Sequence, residues 1–178
     1  MIQRFVFSGT GGQGMITAAL ILAEAALFYQ GLNAVQTQMY GPEARGGSAR
    51  SDVIISDREI LFPKVLEPNV LVCVSQMAYD RYSSLVRPGG VVITDPFYVK
   101  RWVHASSREF AVPLHDTVGP GQGFNISLLG AVVRLIPVVG LEAVRQAVAA
   151  HFPGDSGEQN LRALETGASL ITESVRTF

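Results

Sequence analysis

A glycine-dense turn near the start of the chain constrains the fold more than any other feature. An apolar run over residues 2–7 enters the turn, and a segment rich in Ala and Leu leaves it. Gly9, Gly11 and Gly14 have the spacing G-x-G-x-x-G. This order predicts a strand, a tight loop and a helix, and it places the free backbone N–H groups of a helix N-terminus at the loop.

Short apolar runs alternate with helical patterns along the rest of the chain. This alternation predicts an α/β fold: one three-layer Rossmann-like domain over residues 1–178, with a mostly parallel sheet. The predicted strands cover residues 2–7, 33–37, 70–75, 91–94 and, more weakly, 110–113. The predicted helices cover residues 15–30 and 76–86, a segment that follows residues 124–127 and ends at 135, and residues 140–152 and 160–175, with Gly167 as a close-packing point in the last.

A predicted hairpin adds antiparallel strands to this sheet. Residues 52–56 and 59–63 are apolar-rich runs on either side of Asp57-Arg58. Two such runs around a tight turn are typical of a β-hairpin.

The residues after the second predicted strand disfavour an ordinary dinucleotide site. Such a site has an acidic residue about 20 positions after the glycines, where it holds a ribose. Here Gln36, Thr37 and Gln38 occupy that region. The glycine spacing alone is a weak signal, so NAD or FAD binding is not the favoured interpretation.

A second unusual loop follows over residues 38–51. It surrounds Tyr40, Glu43 and Arg45 with turn-forming residues that include Gly46 and Gly47. Arg45 can bind a phosphate or carboxylate with a forked pair of hydrogen bonds. It can equally pair with Glu43 or cap a carbonyl, and the spacing leaves both interpretations open.

Later polar residues have structural interpretations. A further glycine-rich loop at 119–123 precedes the third predicted helix, which Asn125 or Ser127 is expected to cap. Asp95, before Pro96 at a strand end, is expected to initiate a turn rather than contact a ligand.

Charge and composition exclude several classes of protein. The formal net charge is −1 and no basic block occurs, so no nucleic-acid surface is indicated. The single cysteine, Cys73, lies in an apolar run and is predicted to be a buried structural thiol. One cysteine excludes an internal disulfide and cannot supply the four thiolates of a typical iron–sulfur cluster. Three scattered histidines make a zinc site improbable.

The apolar content predicts a covered surface. Apolar residues make up 48% of the chain and the mean hydropathy is +0.27, a value that suggests contact with a partner chain. The pattern contains no secretory signal or transmembrane helix, so we expect a cytoplasmic protein without a membrane partner. Motifs of serine hydrolases, zinc proteases and phosphate-loop enzymes are absent. No catalytic or metal-binding residue is therefore predicted, as expected of a subunit that helps to shape a site built elsewhere.

The combination of motifs resembles the gamma subunit of 2-oxoacid:ferredoxin oxidoreductases. The resemblance covers nearly the whole chain, and its paired motifs are more specific than the glycine loop alone. It rests on Gly9-Thr10-Gly11-Gly12-Gln13-Gly14, on Tyr40-Gly41-Pro42-Glu43-Ala44-Arg45-Gly46-Gly47 with Ser48 and Ser51, on Ile55-Ser56-Asp57 with Ile60, on Asn125 with Leu129-Gly130-Ala131, and on Asn160 with Ala163-Leu164 and Gly167.

This resemblance implies an activity and a set of partners. Such enzymes oxidatively decarboxylate a 2-oxoacid to an acyl-CoA and reduce ferredoxin. Alpha and beta subunits hold thiamine diphosphate between them, and Mg²⁺, [4Fe-4S] clusters and CoA are expected through other subunits, with no cofactor of this chain's own. The second loop looks closest to 2-oxoglutarate enzymes, although pyruvate, isovalerate and indolepyruvate members share much of it.

The resemblance also gives candidate site residues. We expect contacts to CoA or to a neighbouring subunit from Gly9, Gly11, Gly12, Gln13, Gly14, Tyr40, Arg45, Gly46, Gly47 and Asn125. Two alternatives stay open at this point. One is a free-standing nucleotide- or CoA-binding Rossmann-like enzyme, and the other is a purely structural module in which both glycine loops are packing devices.

Overall fold

A seven-stranded sheet organises the part of the chain that the structure describes. The computed structural model describes residues 1–40, 48–103, 107–121, 123–172 and 176–177. The strand order is β2-β3-β1-β4-β5-β6-β7. The strands are β1 (Ile2–Thr10), β2 (Asn33–Tyr40), β3 (Ser48–Ser56), β4 (Val70–Cys73), β5 (Val91–Thr94), β6 (Arg108–Ala111) and β7 (Arg176–Thr177).

Most strands point the same way. β1, β4, β5 and β6 pair in parallel, while β3 pairs antiparallel with both β1 and β2. β2 therefore runs in the direction of β1, and among the described strands only β3 and β7 run against the rest. The predicted mostly parallel sheet is confirmed.

Helices cover both faces of this sheet, which gives the predicted three layers. α1, α4, α5 and α6 pack on one face in a large apolar core, and α2 packs on the other in a smaller one. The helices are α1 (Met15–Glu24), α2 (Gln76–Tyr82), α3 (Leu114–Val118), α4 (Phe124–Leu135), α5 (Leu141–His151) and α6 (Asp155–Ser169). A π-helical turn, Ala25–Tyr29, extends α1. None of the helices in the described ranges is long and apolar enough to span a membrane.

The predicted hairpin over 52–56 and 59–63 is wrong. β3 pairs instead with β2, whose end precedes it by seven residues, and no strand forms over 59–63. Leu61 and Phe62 are exposed there, at 83% and 59%. An apolar run forms a strand where a sheet buries its side chains, but the side chains of this run are exposed to solvent.

The last helix also differs from its prediction over 160–175. It begins at Asp155 and ends at Ser169, and residues 173–175 lie outside the described ranges. Its first turn is polar, and Asp155 and Glu158 favour a helix N-terminus there. The polar composition of this turn is that of a helix start.

Two predictions about packing are confirmed. Cys73 is fully buried in β4, where burial raises the pKa of its thiol. At Gly167, a Cβ atom would overlap the backbone carbonyl of Ser127 on α4, so only glycine lets α6 approach α4 this closely.

Candidate functional site

The side chain of Gln13 closes the first glycine loop. The backbone N–H of Thr10 donates to Gln13 Oε1 at 2.7 Å, and Gln13 Nε2 donates to the carbonyl of Val74 at 3.0 Å. At Gly9, an added Cβ would meet Val74 Cγ2 at 2.9 Å and would also overlap the Gln13 side chain. The Gln13 side chain thus holds the loop against the end of β4. Because Gly9 has no side chain, it leaves room for the side chain of Gln13.

Gly14 connects the first glycine loop to the start of α4. It precedes α1 with φ 71°, a left-handed conformation that side chains rarely adopt. Asn125 Nδ2 donates to the Gly14 carbonyl at 3.2 Å, and a Cβ at Gly14 would lie 2.5 Å from that nitrogen. The glycine therefore permits both the turn and the contact between α1 and α4.

The two helices begin in the same unusual way. Gly14 precedes α1 and Gly123, with φ 93°, precedes α4; neither helix has a side-chain cap or an acidic residue in its first turn. Asn125 and Ser127 were predicted to cap α4, and that prediction is wrong. Asn125 reaches across to Gly14, and the buried Ser127 Oγ has no hydrogen-bond partner among the described residues. At both helix starts, therefore, no described side chain of the first turn compensates the positive end of the helix dipole.

These two helix starts line one cleft of about 390 Å³ at the carboxyl ends of β1 and β5, named here the carboxyl-end cleft. None of the described lining side chains carries a formal charge. Its positive potential therefore comes from backbone N–H groups rather than from cationic side chains. The lining residues are Gly12, Gln13, Gly14, Thr17, Tyr98, Pro120, Gly121, Gly123, Phe124, Asn125, Phe152 and Asn160.

Tyr98 forms one wall of the cleft. Its ring packs edge-on against Phe124, with centroids 5.6 Å apart, and against His115 at 5.5 Å. Burial raises the pKa of Tyr98, and the nearby Asp95 carboxylate raises it further. The phenol therefore stays protonated at neutral pH and keeps a hydrogen-bond donor at the cleft.

Asp95 fixes the backbone turn that carries Tyr98. It is fully buried at the end of β5, and its carboxylate accepts backbone hydrogen bonds from Phe97 at 2.8 Å and His115 at 2.6 Å. Burial raises the pKa of Asp95 despite these bonds. The predicted turn-forming role of Asp95 is confirmed, because its oxygens fix the turn that presents Tyr98.

A comparison with known families identifies the chain. The family described as pyruvate ferredoxin/flavodoxin oxidoreductase matches residues 4–170. The chain belongs to this family.

Relatives in the family are of similar length. The 2-oxoglutarate synthase subunit KorC of Methanocaldococcus jannaschii is 40% identical over 97% of this chain and 96% of its own. The common gamma subunit of pyruvate/ketoisovalerate oxidoreductases from Thermococcus kodakarensis is 32% identical over 89% of this chain and 91% of its own. The chain is therefore homologous to gamma subunits of this oxidoreductase family, and other subunits are its partners.

A solved structure in the family shares the fold. The gamma subunit of keto/oxoacid ferredoxin oxidoreductase from Geobacter sulfurreducens superposes with a TM-score of 0.85, at 37% identity, over 95% of each chain. The Rossmann-like α/β fold predicted from the resemblance is therefore confirmed, since a gamma subunit of this family has the same fold.

The predicted site residues separate into three groups. Gly12, Gln13, Gly14 and Asn125 line the cleft, whereas Gly9 and Gly11 belong to the same loop but do not line it. For Tyr40 the structure gives only the backbone, which pairs with Ala49 in β3. Arg45, Gly46 and Gly47 lie outside the described residues.

Sequence reasoning missed eight of the twelve described lining residues of the cleft, and three of these lie away from both glycine-rich loops: Tyr98, Phe152 and Asn160. They come from the turn after β5, the end of α5 and the middle of α6. No sequence spacing links them to the glycine loops: Asn160 reaches the cleft through the packing of α6 on α4, and Tyr98 reaches it through the turn that Asp95 fixes. For Asn160 the sequence offers one signal, since this residue belongs to the motifs that carry the family resemblance.

Proposed function

We propose that this chain, as a single domain over residues 1–178, is the gamma subunit of a multi-subunit 2-oxoacid:ferredoxin oxidoreductase. The complex would convert a 2-oxoacid, CoA and oxidised ferredoxin to an acyl-CoA, CO₂ and reduced ferredoxin. The observation that carries the proposal is the 40% identity to a 2-oxoglutarate synthase subunit over nearly the full length of both chains. For the same reason we propose 2-oxoglutarate as the oxoacid. We also propose the cytoplasm as the location, in keeping with the sequence-based expectation.

The electron-transfer cofactors belong to other chains in this proposal. The only thiol, Cys73, is fully buried inside β4, so it is not placed to bind a cluster. Among the described residues no three His, Cys, Asp or Glu side chains form a metal-binding group. Thiamine diphosphate, Mg²⁺ and [4Fe-4S] clusters would supply decarboxylation and electron transfer from alpha and beta subunits.

We propose that this chain's own contribution is to hold the anionic part of CoA in the carboxyl-end cleft. Two helix starts without caps provide backbone N–H groups, and such helix ends bind phosphates well. Thr17 and Asn125 add neutral hydrogen-bonding groups, and Tyr98 adds an aromatic wall. This donor set fits a phosphate group and would bind and orient it, with no part in the bond-making steps.

A free-standing NAD enzyme is not supported by the sheet. In the ordinary dinucleotide fold the second strand lies beside the first and presents an acidic residue. Here β3 lies between β1 and β2. Gln36 on β2 is engaged by Ser51, since its Nε2 donates to Ser51 Oγ at 2.6 Å.

A substrate panel tests the proposed reaction. The complex, assembled with this chain, is assayed for CoA-dependent ferredoxin reduction with 2-oxoglutarate, pyruvate, 2-oxoisovalerate and indolepyruvate. We expect the highest kcat/KM with 2-oxoglutarate. A clear preference for another oxoacid would contradict the substrate and keep the subunit assignment, whereas no activity with any of them would contradict the assignment.

The variant Thr17→Asp tests the CoA site without removing the fold. A carboxylate in the first turn of α1 favours the helix itself but repels an anion in the cleft. We expect the KM for CoA to rise by about tenfold or more, because the added carboxylate repels the phosphate group that the cleft would otherwise bind. Thr17→Asn is the matched neutral control and should leave this KM nearly unchanged.

The same variant separates CoA binding from subunit packing. If the cleft holds a neighbouring subunit, Thr17→Asp will weaken assembly and leave the KM for CoA of the assembled fraction unchanged. If both glycine loops are only packing devices, neither assembly nor the KM will change. Titration calorimetry of the assembled complex with CoA and with pantetheine, which lacks the nucleotide phosphates, provides the direct binding measurement.

A further inference from the structure

A second surface lies at the opposite end of the sheet, named here the amino-end face. Two adjoining clefts of about 620 Å³ and 300 Å³ lie where β1, β4, β5 and β6 begin. Both clefts include Arg87 and Pro88, in the turn before β5, so they form one continuous surface. The parallel strands separate this face from the carboxyl-end cleft.

The amino-end face is basic in a chain whose net charge is −1. Arg4, Lys64 and Arg87 line the larger cleft, and Arg87 and Arg108 line the smaller. None of these four forms an ion pair with another described residue, and Glu67 is the one acidic residue among the described lining residues. Positive charge is therefore concentrated here without an internal partner.

Large apolar side chains stand beside these cations. Leu61, Phe62 and Leu66 are 83%, 59% and 68% exposed, and Phe62 and Leu66 line the larger cleft. The segment that carries them is held in place, because Val65 is buried and its carbonyl accepts a hydrogen bond from Arg50 Nη2 at 3.0 Å. The apolar side chains are thus presented outward from a fixed segment.

We propose that the amino-end face is a docking surface for an acidic protein segment that carries a large apolar side chain. The segment belongs to another subunit of the complex, so this inference rests on the proposed function. Exposed ion pairs contribute little one by one, which disfavours tight binding of a small anion here. Several unpaired cations around exposed apolar groups suit a protein interface, with apolar anchors at the centre and charges at the rim.

Charge reversal on the intact complex tests this surface. The variant Lys64→Glu/Arg87→Glu/Arg108→Glu changes three exposed side chains, and its association with the remaining purified subunits is measured by interferometry at several salt concentrations. We expect affinity to fall by about tenfold or more and the salt dependence to become shallower. Lys100→Glu/Arg101→Glu/Arg162→Glu carries the same charge change outside both clefts and should leave affinity and salt dependence nearly unchanged.

The apolar component is tested by a second variant. Phe62→Ser/Leu66→Ser should weaken the same association and leave its salt dependence unchanged, because no charge is altered. Equal thermal melting of all variants would show that each one folds, since every changed side chain is exposed.

The outcomes distinguish this inference from the proposed function. If the unaltered chain does not associate with the other subunits, the proposed function fails and the docking partner fails with it. If the chain associates and both amino-end variants match the control, only the docking surface is overturned. Micromolar binding of inorganic pyrophosphate to the isolated chain, abolished by the charge reversal, would also overturn it in favour of a small-anion site.

Discussion

The two ends of the sheet are built from different parts of the chain. The carboxyl-end cleft is made by backbone: glycines precede two helices, and the described lining side chains are all uncharged. The amino-end face is made by side chains: arginine and lysine groups stand beside exposed leucine and phenylalanine. Backbone N–H groups suit a small anion in a fixed position, and long side chains suit a broad and salt-sensitive contact.

This difference predicts how each end responds to substitution. The carboxyl-end cleft should tolerate most side-chain truncations and fail when a glycine gains a Cβ atom. The amino-end face should fail when its side-chain charges, or the contacts that hold its segment, are removed.

The largest expected effect is at the contact that holds the amino-end segment. Arg50 Nε and Nη2 bind the Asp52 carboxylate at 2.6 and 2.9 Å, and both residues are buried. Asp52→Asn leaves the guanidinium buried without its counter-charge, so we expect a loss of about 3 kcal/mol in the free energy of unfolding. Urea titration measures it.

An exposed ion pair provides the control for Asp52→Asn. Arg101 and Asp80 pair at the surface, where 78% and 47% of their side chains are exposed. Asp80→Asn should cost less than about 0.5 kcal/mol. Equal losses for the two variants would show that burial of the Arg50 pair does not matter.

The next effect is at Gly14. Gly14→Ala forces a side chain into φ 71° and against Asn125, so we expect a loss of about 2 kcal/mol in the free energy of unfolding. Gly11→Ala is the matched control in the same loop, since a Cβ there meets nothing within 4 Å. If denaturant titration gives the same midpoint for both variants, the cleft does not depend on this backbone geometry.

A smaller effect is expected at Asn125. Asn125→Ala removes its hydrogen bond to the Gly14 carbonyl, at a cost of about 1 kcal/mol. Because the Asn125 side chain also crowds a Cβ at position 14, Gly14→Ala should cost about 1 kcal/mol less in the Asn125→Ala background. A double-mutant cycle measures the coupling, and additive losses would mean that the two loops are independent.

The smallest effect is the titration of Tyr98. Its pKa is raised by burial, so the phenol should ionise above the ordinary value of about 10. An acid with a raised pKa in the folded state contributes stability that is fully present below the unfolded pKa of about 10, and this contribution is lost as the pH rises further through the higher pKa of the folded state. Absorbance titration of the protein minus its Tyr98→Phe variant isolates this step. A difference curve centred at or below the ordinary value would contradict the partial burial of Tyr98.

Sequence reasoning was accurate where burial and periodicity agree. The apolar run 91–94 is β5, and the first glycine loop joins β1 to α1 as predicted. The run 59–63 was misassigned because exposed apolar side chains have the same composition as those of a buried strand. The pairing of β2 with β3 could not be predicted, since it depends on contacts beyond the local pattern.

The candidate site was predictable only in part, for a related reason. Gly12, Gln13 and Gly14 are adjacent in sequence, so their motif identified the first half of the cleft. The role of Asn125 was misassigned as a helix cap, because its contact with Gly14 spans 111 residues. Tyr98 reaches the cleft only through the buried carboxylate of Asp95, which fixes its turn.

The most direct test of the central claim is reconstitution with and without this chain. The remaining subunits are purified alone, this chain is added back, and CoA-dependent ferredoxin reduction by 2-oxoglutarate is measured at saturating CoA. We predict that activity requires this chain and saturates when one copy is bound per complex unit. Full activity without the chain, or failure of the chain to bind the other subunits, would contradict its role as the gamma subunit.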